Sequence, residues 1–423
     1  MYNKTKNPWS PEDEGDHYPI MREWWTIETL FKTKDQDKNY NFMVIASYNM
    51  EKPSCFFQYV LFDIKEKKCI IRADIDDDIK KLSFKKNRLD LKYKDSFIKG
   101  IFPNYKICIK EKDNFEINFE YKAESTPHWI AQDITNGKLP FGLNFYKYGY
   151  IPNCRLKGSM KIKDKRNDIN GVGYLEHVWG DWSYQNPFKK VSKLKESIST
   201  YLKLGRWWIK SHRPKIPDRI SFTSENNIFG YDWAWGVFDN NWSVFYGNVL
   251  FFLSRGPAFG VLSLNKGKEK YLDFCNIDFH YNELIYVKKY DIYFPSDLEI
   301  IGKKDDKKIK IRFSLNTKSY EYIDPFKNNG FYKAFILSEM PGKMSGFYEE
   351  KDKKIKLKGG CKMMPLRQPS VLGHNVLDIK FIKPPKGVGI NLGFESHYLK
   401  KQINTELVFK KKPIFKFDFK KLK

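Results

Sequence analysis

Hydrophobic and polar residues alternate with a period of two along much of the chain, which predicts β-strands. Residues 105–110 and 115–121 both alternate in this way, and the charged segment Glu111-Lys112-Asp113-Asn114 between them predicts a hairpin loop. Lysine-rich turns at 303–308 and 351–354 precede further alternating segments. Many short strands joined by charged turns, without interspersed helical patterns, predict an all-β fold of antiparallel sandwiches or barrels.

One segment, from Phe188 to Ile209, has a helical periodicity instead. Its apolar residues recur at steps of three and four, and a basic helix of this kind followed by Trp207-Trp208 is typical of a membrane-surface helix. The apolar positions are Phe188, Val191, Leu194, Ile198, Tyr201 and Leu202. The alternative is an inserted helix that caps a barrel mouth. We expect this second arrangement, because the apolar face of most amphipathic helices packs against the protein.

Two tryptophan-headed segments indicate an internal repeat. The first begins with Glu23-Trp24-Trp25, and the second begins with Tyr231-Asp232-Trp233-Ala234-Trp235-Gly236. The turn Asp239-Asn240-Asn241 lies between two aromatic strands and predicts a hairpin. Two similar β units in one chain predict two similar barrels.

Composition and charge narrow the class of function. Aromatic residues make up 17% of the chain, which suits strands around a roomy apolar pocket. The net charge of +25 invites a nucleic-acid interpretation, yet only 11 of the 76 basic residues are Arg, which makes the commonest specific base contact. Most Lys residues fall in turn-like runs such as 65–68, which predicts solvated hairpin tips. We therefore do not expect a nucleic-acid partner.

Other motifs that carry chemistry are missing from the sequence. None of the six Cys residues forms a Cys-x-x-Cys pair, so we expect reduced thiols and no metal site. No phosphate-binding glycine loop or dinucleotide motif is present, so we expect no cofactor. The N-terminus has no apolar core, and no apolar run is long enough to span a membrane. These features predict a cytoplasmic protein, with peripheral membrane contact through Phe188 to Ile209 as an option.

Two motifs resemble a known family. The first is Pro11-Glu12-Asp13-Glu14-Gly15-Asp16-His17 followed by Glu23-Trp24-Trp25. The second is Gly171-Val172-Gly173-Tyr174-Leu175-Glu176-His177-Val178-Trp179-Gly180, which resembles a Gly-x-x-Tyr-x-Asp-His-x-Trp-Gly pattern. Together they resemble the tandem-lipocalin family of hydroxyneurosporene synthase, a carotenoid hydratase, and AttH. This chain departs from the pattern at Glu176, where the family has Asp, and by a basic insertion at 185–228.

The resemblance implies two lipocalin-like antiparallel β-barrels in tandem, with a helical insertion near their junction. We place the first barrel at 1–172 and the second at 173–423, with the acid-His motif at the start of the second. The resemblance further implies a hydrophobic small-molecule ligand, which is an isoprenoid, a polyene or a lipid. If the protein is an enzyme, it is expected to be a hydro-lyase or an isomerase and cyclase that uses no metal.

Protonation of a C=C bond requires a dry, sufficiently strong acid, and burial among aromatic residues raises the pKa of a carboxyl. We take Glu176, His177 and Tyr246 as candidate catalytic residues. Aromatic faces can stabilise a carbocation, and the candidate lining residues are Trp24, Trp25, Tyr174, Trp179, Trp233 and Trp235. Neighbouring strand residues face opposite ways, so only one of Glu176 and His177 is expected on the cavity side unless a bulge intervenes. A structural ion pair is the alternative role for Glu176, and a structural hydrogen bond is expected for His17.

Three functions are compatible with these residues. The first is acid-catalysed hydration or cyclisation of a hydrophobic substrate. The second is a non-catalytic lipophile carrier with the same cavity. The third is a membrane-surface or nucleic-acid-binding protein whose barrels are scaffold. The sequence does not predict the ligand or the oligomeric state.

Overall fold

A computed structural model of the protein consists almost entirely of β-strands, as the period-two pattern predicts. The structure describes residues 9–34, 38–111, 114–141, 143–183, 193–212, 219–223, 229–249, 259–274, 276–289, 292–315, 321–325, 334–368, 375–382, 387–396, 400–410 and 412–421. No helix within these ranges is both long and apolar enough to cross a membrane.

The first sheet contains thirteen antiparallel strands. They are β1 (Arg22–Thr33), β2 (Asn39–Asn49), β3 (Ser54–Asp63), β4 (Lys68–Asp78), β5 (Leu82–Ser83), β6 (Leu89–Tyr93), β7 (Ser96–Ile101), β8 (Asn104–Glu111), β9 (Phe115–Ala123), β10 (His128–Trp129), β11 (Lys138–Phe141), β12 (Asn144–Ile162) and β13 (Lys165–Gly180). Their order is β4-β3-β2-β1-β13-β12-β9-β8-β7-β6-β5, with β10 and β11 paired to β12. A short helix, α1 (Gln132–Thr135), precedes β11, and single 3-10 turns occupy Pro11–Asp13 and Ile79–Lys81.

The insertion and the second sheet follow along the chain. Within the insertion lie α2 (Leu194–His212) and β14 (Arg219–Thr223). The strands of the second sheet are β15 (Phe229–Phe238), β16 (Ser243–Val249), β17 (Phe259–Asn265), β18 (Tyr271–Phe274), β19 (Asn276–Val287), β20 (Ile292–Lys304), β21 (Lys307–Leu315), β22 (Glu321–Pro325), β23 (Ala334–Ser338), β24 (Met340–Glu350) and β25 (Lys353–Gln368). Their order is β18-β17-β16-β15-β25-β24-β21-β20-β19, with β22 paired to β23 and β23 to β25.

The two large sheets share one topology, which confirms the predicted tandem of lipocalin-like barrels. In the first sheet β1, the strand that carries Glu23-Trp24-Trp25, lies between β2 and the late strand β13. In the second sheet β15 lies in the same way between β16 and the late strand β25. The predicted hairpins at 111–114, 239–241, 303–308 and 351–354 are confirmed as the connections β8–β9, β15–β16, β20–β21 and β24–β25.

A third sheet is separate from the two large ones, although all its strands lie within residues 173–423, which the sequence assigned to the second barrel. Its strands are β14, β26 (Asn375–Ile382), β27 (Val388–Ser396), β28 (Lys401–Phe409) and β29 (Ile414–Lys421), paired in that order. Because β14 belongs to the insertion, the sheet joins the insertion to the C-terminal part of the chain. The edge strand β29 leaves Phe415, Phe417 and Phe419 exposed.

The predicted boundary between residues 172 and 173 falls inside β13. This strand pairs along its length with β1 and β12, both of the first sheet. The acid-His motif therefore lies on the last strand of the first sheet, whereas the sequence placed it at the start of the second barrel. The predicted helix from Phe188 to Ile209 is observed as α2, which begins six residues later and ends at His212. The positions Phe188 and Val191 lie outside the described residues.

The outer face of the first barrel packs against the second barrel. Along β1, Trp25 and Ile27 point into the core of the first barrel. Trp24 on the opposite face joins a separate apolar cluster with residues of both barrels. That cluster contains Tyr148, Tyr150, Tyr174 and Val178 of the first barrel and Trp233, Trp235, Phe245 and Leu366 of the second. The interface between the barrels is thus an aromatic core of its own.

We predict that Gly173→Ala destabilises the protein by about 1–3 kcal/mol, the usual cost of overpacking. A Cβ atom at Gly173 would lie 1.8 Å from the Tyr121 hydroxyl oxygen and 2.3 Å from the carbonyl oxygen of Glu28. The control is Gly205→Ala in α2, where a Cβ meets no atom within 4 Å and helix propensity predicts a gain of about 1 kcal/mol. Urea unfolding measures both. A Gly173→Ala protein as stable as the wild type would contradict the close packing described for β13.

Candidate active site

The pairing of β1 with β13 distributes the motif residues over two faces. Thr26 lies opposite Glu176, and Trp25 lies opposite His177. Successive side chains of a strand point to opposite faces, so Glu176 and His177 diverge, as the alternation predicted. Glu176 points toward the second barrel and His177 points into the first.

Glu176 is buried at the interface and both of its carboxyl oxygens are hydrogen-bonded. Its Oε1 atom accepts hydrogen bonds from Trp24 Nε1 at 2.9 Å and from Thr26 Oγ1 at 3.0 Å. Its Oε2 atom hydrogen-bonds the hydroxyl of Tyr148, and it accepts from the hydroxyl of Tyr174 at 3.1 Å. The carboxyl is therefore held in one orientation by four neutral groups.

Aromatic rings surround this carboxyl. The Nε1–H of Trp233 donates to the Tyr148 hydroxyl, which lies 3.0 Å from the Tyr174 hydroxyl. The Tyr174 ring is edge-on to Trp233, with 4.9 Å between centroids, and stacks with Trp235 at 5.8 Å. We call the following set the Glu176 cluster: Trp24, Thr26, Tyr148, Tyr174, Glu176 and Trp233.

The environment of the cluster favours the neutral form of each acid. Burial raises the pKa of Glu176 above its ordinary value, against the opposing effect of its hydrogen bonds. Burial also raises the pKa values of Tyr148 and Tyr174 well above their ordinary range. Within the part of the chain that the structure describes, no Lys, Arg or His forms an ion pair with Glu176. The alternative role, an ion pair at a barrel seam, is therefore not observed for Glu176 among the described residues, and its acid role stays a prediction.

His177 belongs to a different network, on the other face of the same strands. Its Nδ1 atom donates to the carbonyl oxygen of Asp13 at 2.7 Å, and its Nε2 atom lies 2.8 Å from Glu23 Oε1. The same Glu23 oxygen lies 2.7 Å from His17 Nδ1, which confirms the structural hydrogen bond expected for His17. Glu23 Oε2 accepts from the Tyr48 hydroxyl at 2.6 Å. We call Glu23, His17, His177 and Tyr48 the Glu23 network.

Ring stacking fixes the two histidines of this network. Trp25 stacks on His177 with 4.5 Å between centroids, and Trp179 stacks on His17 at 4.1 Å. Burial alone would raise the pKa of Glu23, but the hydrogen bonds from both histidines outweigh it and lower that pKa to about 2. Burial lowers the pKa of His177.

The Glu23 network also contains atoms able to bind a metal ion. Its two imidazole nitrogens and one carboxylate oxygen lie within 4.8 Å of one another. This set escaped the sequence analysis, because His17 and His177 are 160 residues apart and show no ligand spacing. The separations of 2.7 and 2.8 Å are ordinary hydrogen-bond lengths, so protons account for this geometry.

A buried ionic group, the Lys362 triad, lies near the Glu176 cluster. Glu28 follows Thr26 on the same face of β1, and its carboxylate contacts Lys362 Nζ of β25. The same Nζ contacts Glu339, and all three side chains are buried. Burial raises the pKa values of Glu28 and Glu339, whereas the two carboxyls outweigh burial at Lys362 and raise its pKa. The triad ties the two barrels together with a cation between two acids.

The structure brings together some of the nine predicted site residues. Trp24, Tyr174, Glu176 and Trp233 form one cluster, and Trp235 packs beside it. Three other predicted residues lie on the opposite face of β1 and β13, with the Glu23 network: Trp25, His177 and Trp179. Tyr246 lies in the core of the second barrel, hydrogen-bonded to Asn248.

Several buried polar residues of the interface were missed by the sequence analysis, Glu339 of the Lys362 triad among them. Tyr146, Tyr148 and Tyr150 recur at every second position of β12, and this period of two could have predicted that Tyr148 lies on one aromatic face. Thr26 and Glu28 continue the face of β1 that begins with Trp24. Lys362 is a single charge within the apolar run of β25.

Comparison with known proteins supports the fold. No family model and no curated protein sequence matches the chain. The chain is similar to the crystal structure of a candidate AttH from Nitrosomonas europaea, with a TM-score of 0.58 and 12% identity over 85% of this chain and 98% of that one. It is also similar to kievitone hydratase from Nectria haematococca, with a TM-score of 0.52 and 13% identity over 86% of this chain and 98% of that one. At these identities the likeness establishes the tandem-barrel fold alone.

We predict that Glu23→Gln lowers the stability of the protein above about pH 4.5, and that the difference from the wild type shrinks as the pH falls toward 2. The folded pKa of Glu23, about 2, lies below its ordinary value of 4.5, so its contribution is present above the higher value and is lost on acidification. The full difference is about 3 kcal/mol. Urea unfolding at several pH values measures it, with the exposed Glu120→Gln as control. A difference that does not vary with pH would contradict this account.

We predict that Lys362→Met destabilises the protein by about 3–5 kcal/mol, because it leaves two carboxyls buried without their cation. The triple variant Lys362→Met, Glu28→Gln, Glu339→Gln removes all three charges and should recover most of that loss. Thermal unfolding of the single and triple variants gives the comparison. If the triple variant is less stable than the single one, the triad is not held by charge pairing.

Proposed function

We propose that the protein binds a hydrophobic small molecule at the interface between its barrels and adds water to a C=C bond, with Glu176 as the general acid. The ligand class is an isoprenoid, a polyene or a lipid. The observation that carries this proposal is a buried carboxyl with a raised pKa, enclosed by aromatic side chains and without a cationic partner among the described residues. Cyclisation of a polyene would begin with the same protonation.

The reaction uses one proton that is returned at the end. Glu176 transfers its proton to one carbon of the double bond, and the other carbon becomes a carbocation. A water molecule forms a bond from its oxygen to that carbon and then loses a proton. This proton returns to the Glu176 carboxylate directly or through the hydroxyls of Tyr148 and Tyr174, which lie within hydrogen-bond distance of it.

The aromatic rings of the cluster give the cation a suitable environment. The faces of Trp and Tyr carry negative potential, which stabilises a positive charge without a nucleophilic anion. Trp24 of the first barrel donates directly to the Glu176 carboxyl, and Trp233 of the second barrel donates to Tyr148, which contacts the same carboxyl. Trp24 is the member of the cluster with intermediate exposure, so a ligand would approach Glu176 past this side chain.

Two independent likenesses support a hydratase. The sequence motifs resemble the carotenoid hydratase family, and the name of the second structural neighbour states that it is a hydratase. The retained acid in the motif is Glu176 itself. Its extra methylene relative to Asp leads us to expect a ligand position shifted from that in the family.

A lipophile carrier is the second candidate. The four hydrogen bonds to Glu176 are all supplied by the protein, which is also what a carboxyl that only organises the interface requires. A carrier would use the same aromatic interface and leave the ligand unchanged.

Purification with host lipids, organic extraction and mass spectrometry identify the bound class. Lycopene is a suitable reaction probe, because the addition of one water is visible in its mass. We predict that Glu176→Gln lowers turnover by at least about 100-fold, the usual contribution of a general acid, while binding stays within a few-fold of the wild type. The matched control is Glu120→Gln, on the exposed surface of β9. Equal turnover by Glu176→Gln and wild type would refute the acid role, and stoichiometric binding without turnover by the wild type would establish a carrier.

A further inference from the structure

Helix α2 exposes most of the apolar side chains that its sequence predicts to pack against the protein. Its inward face consists of Ser197, Thr200 and Leu204, which are buried, and Ser197 Oγ donates to the carbonyl oxygen of Asn144 at 3.0 Å. Its apolar positions Leu194, Ile198 and Leu202 are 44%, 48% and 68% exposed. The expected cap of a barrel mouth, with the apolar face on the protein, is therefore wrong for these residues. We call Leu194, Ile198 and Leu202 the apolar stripe of α2. Because this stripe is exposed while two polar side chains of the helix are buried, we infer that the stripe has another partner.

The charges beside this stripe identify the chemistry of the partner. Lys195, Lys203 and Arg206 are exposed along the helix. Glu196 is the acidic residue of the helix, and it is paired with Lys138 at 2.8 Å. The outer surface thus carries excess positive charge next to an apolar stripe.

More basic side chains lie where the helix begins. A cleft of about 180 Å³ beside the first turn of α2 is lined in part by Lys138, Lys147 and Lys193. Trp179 and Asp181 line the same cleft. Glu196 lines the cleft too and is paired with Lys138, and Lys147 is paired with Asp13 at 2.9 Å, so Lys193 is the residue that adds positive charge at the start of the helix.

We propose that α2 docks on the surface of an anionic lipid bilayer. Leu194, Ile198 and Leu202 would enter the boundary between headgroups and acyl chains, and the basic residues Lys195, Lys203 and Arg206 would contact lipid phosphates. A second copy of the chain is a poorer occupant, because two such helices would bring like charges together. This docking does not depend on the proposed reaction, although it would bring the barrels to a source of lipophilic ligand.

A second exposed apolar surface must be distinguished from α2. Strand β29 exposes Phe415 and Phe417 with Lys416 and Lys420 between and beyond them. The experiment therefore includes variants of both surfaces.

The test is co-sedimentation of the full chain with vesicles of phosphatidylcholine alone and of phosphatidylcholine mixed equally with phosphatidylserine. We expect the wild type to bind the mixed vesicles at least tenfold more tightly, with affinity that falls as salt rises. The variant Leu194→Ser, Ile198→Ser, Leu202→Ser and the variant Lys195→Glu, Lys203→Glu, Arg206→Glu should each lose at least tenfold. Neither should change the unfolding temperature much, because the side chains are exposed. The control is Phe415→Ser, Phe417→Ser on β29, which should bind like the wild type.

Several results would overturn the proposal. If the wild-type protein sediments with neither kind of vesicle, α2 does not dock on an anionic bilayer. Loss of binding in the β29 variant with full binding in both α2 variants would place the docking surface elsewhere. A wild-type dimer that becomes monomeric in the Leu194, Ile198, Leu202 variant, without vesicle binding, would make the stripe a self-association surface.

Discussion

The register between β1 and β13 determines which side chains enter the core of the first barrel and which enter the interface between the barrels. With Thr26 opposite Glu176 and Trp25 opposite His177, one pair of strands serves two cores at once. One face closes the first barrel with stacked tryptophans and histidines, and the other face forms the interface with the second barrel. A shift of one residue would exchange these faces and bury each polar group among the wrong partners.

The buried carboxyls on the two faces have pKa values shifted in opposite directions. Glu23 accepts hydrogen bonds from two histidines and a tyrosine, and its pKa is lowered to about 2. Glu176 has neutral partners in a dry aromatic setting, and its pKa is raised. Two glutamates attached to paired strands thus have opposite protonation preferences, and only one of them suits acid catalysis. The Lys362 triad adds a buried cation that links the barrels close to this acid.

Much of the fold follows from the sequence, because strand alternation and charged turns are local signals. The hairpins around 111–114 and 303–308 and the divergence of Glu176 from His177 required only the period of two. The partners of Glu176 are different, since Trp24 and Thr26 reach it from β1, which lies about 150 residues earlier in the sequence. The third sheet combines β14 with strands more than 150 residues later, and no local pattern specifies that pairing.

The direction of α2 shows the limit of periodicity most clearly. The sequence correctly places Leu194, Ile198 and Leu202 on one face of a helix, but it does not say which face meets the protein. Ser197 and Leu204 provide the inward contacts, so tertiary packing reversed the usual preference for apolar burial.

Acid catalysis by Glu176 requires its carboxyl to carry a proton at neutral pH, and burial at the barrel interface raises its pKa in that direction. Infrared spectroscopy of the wild type and of Glu176→Gln at pH 7 tests this requirement most directly, because the stretching band of a protonated carboxyl differs from that of a carboxylate. We predict that the difference spectrum contains a protonated-carboxyl band that belongs to Glu176. A difference spectrum with only carboxylate bands would show that Glu176 is ionised and would contradict its role as the acid.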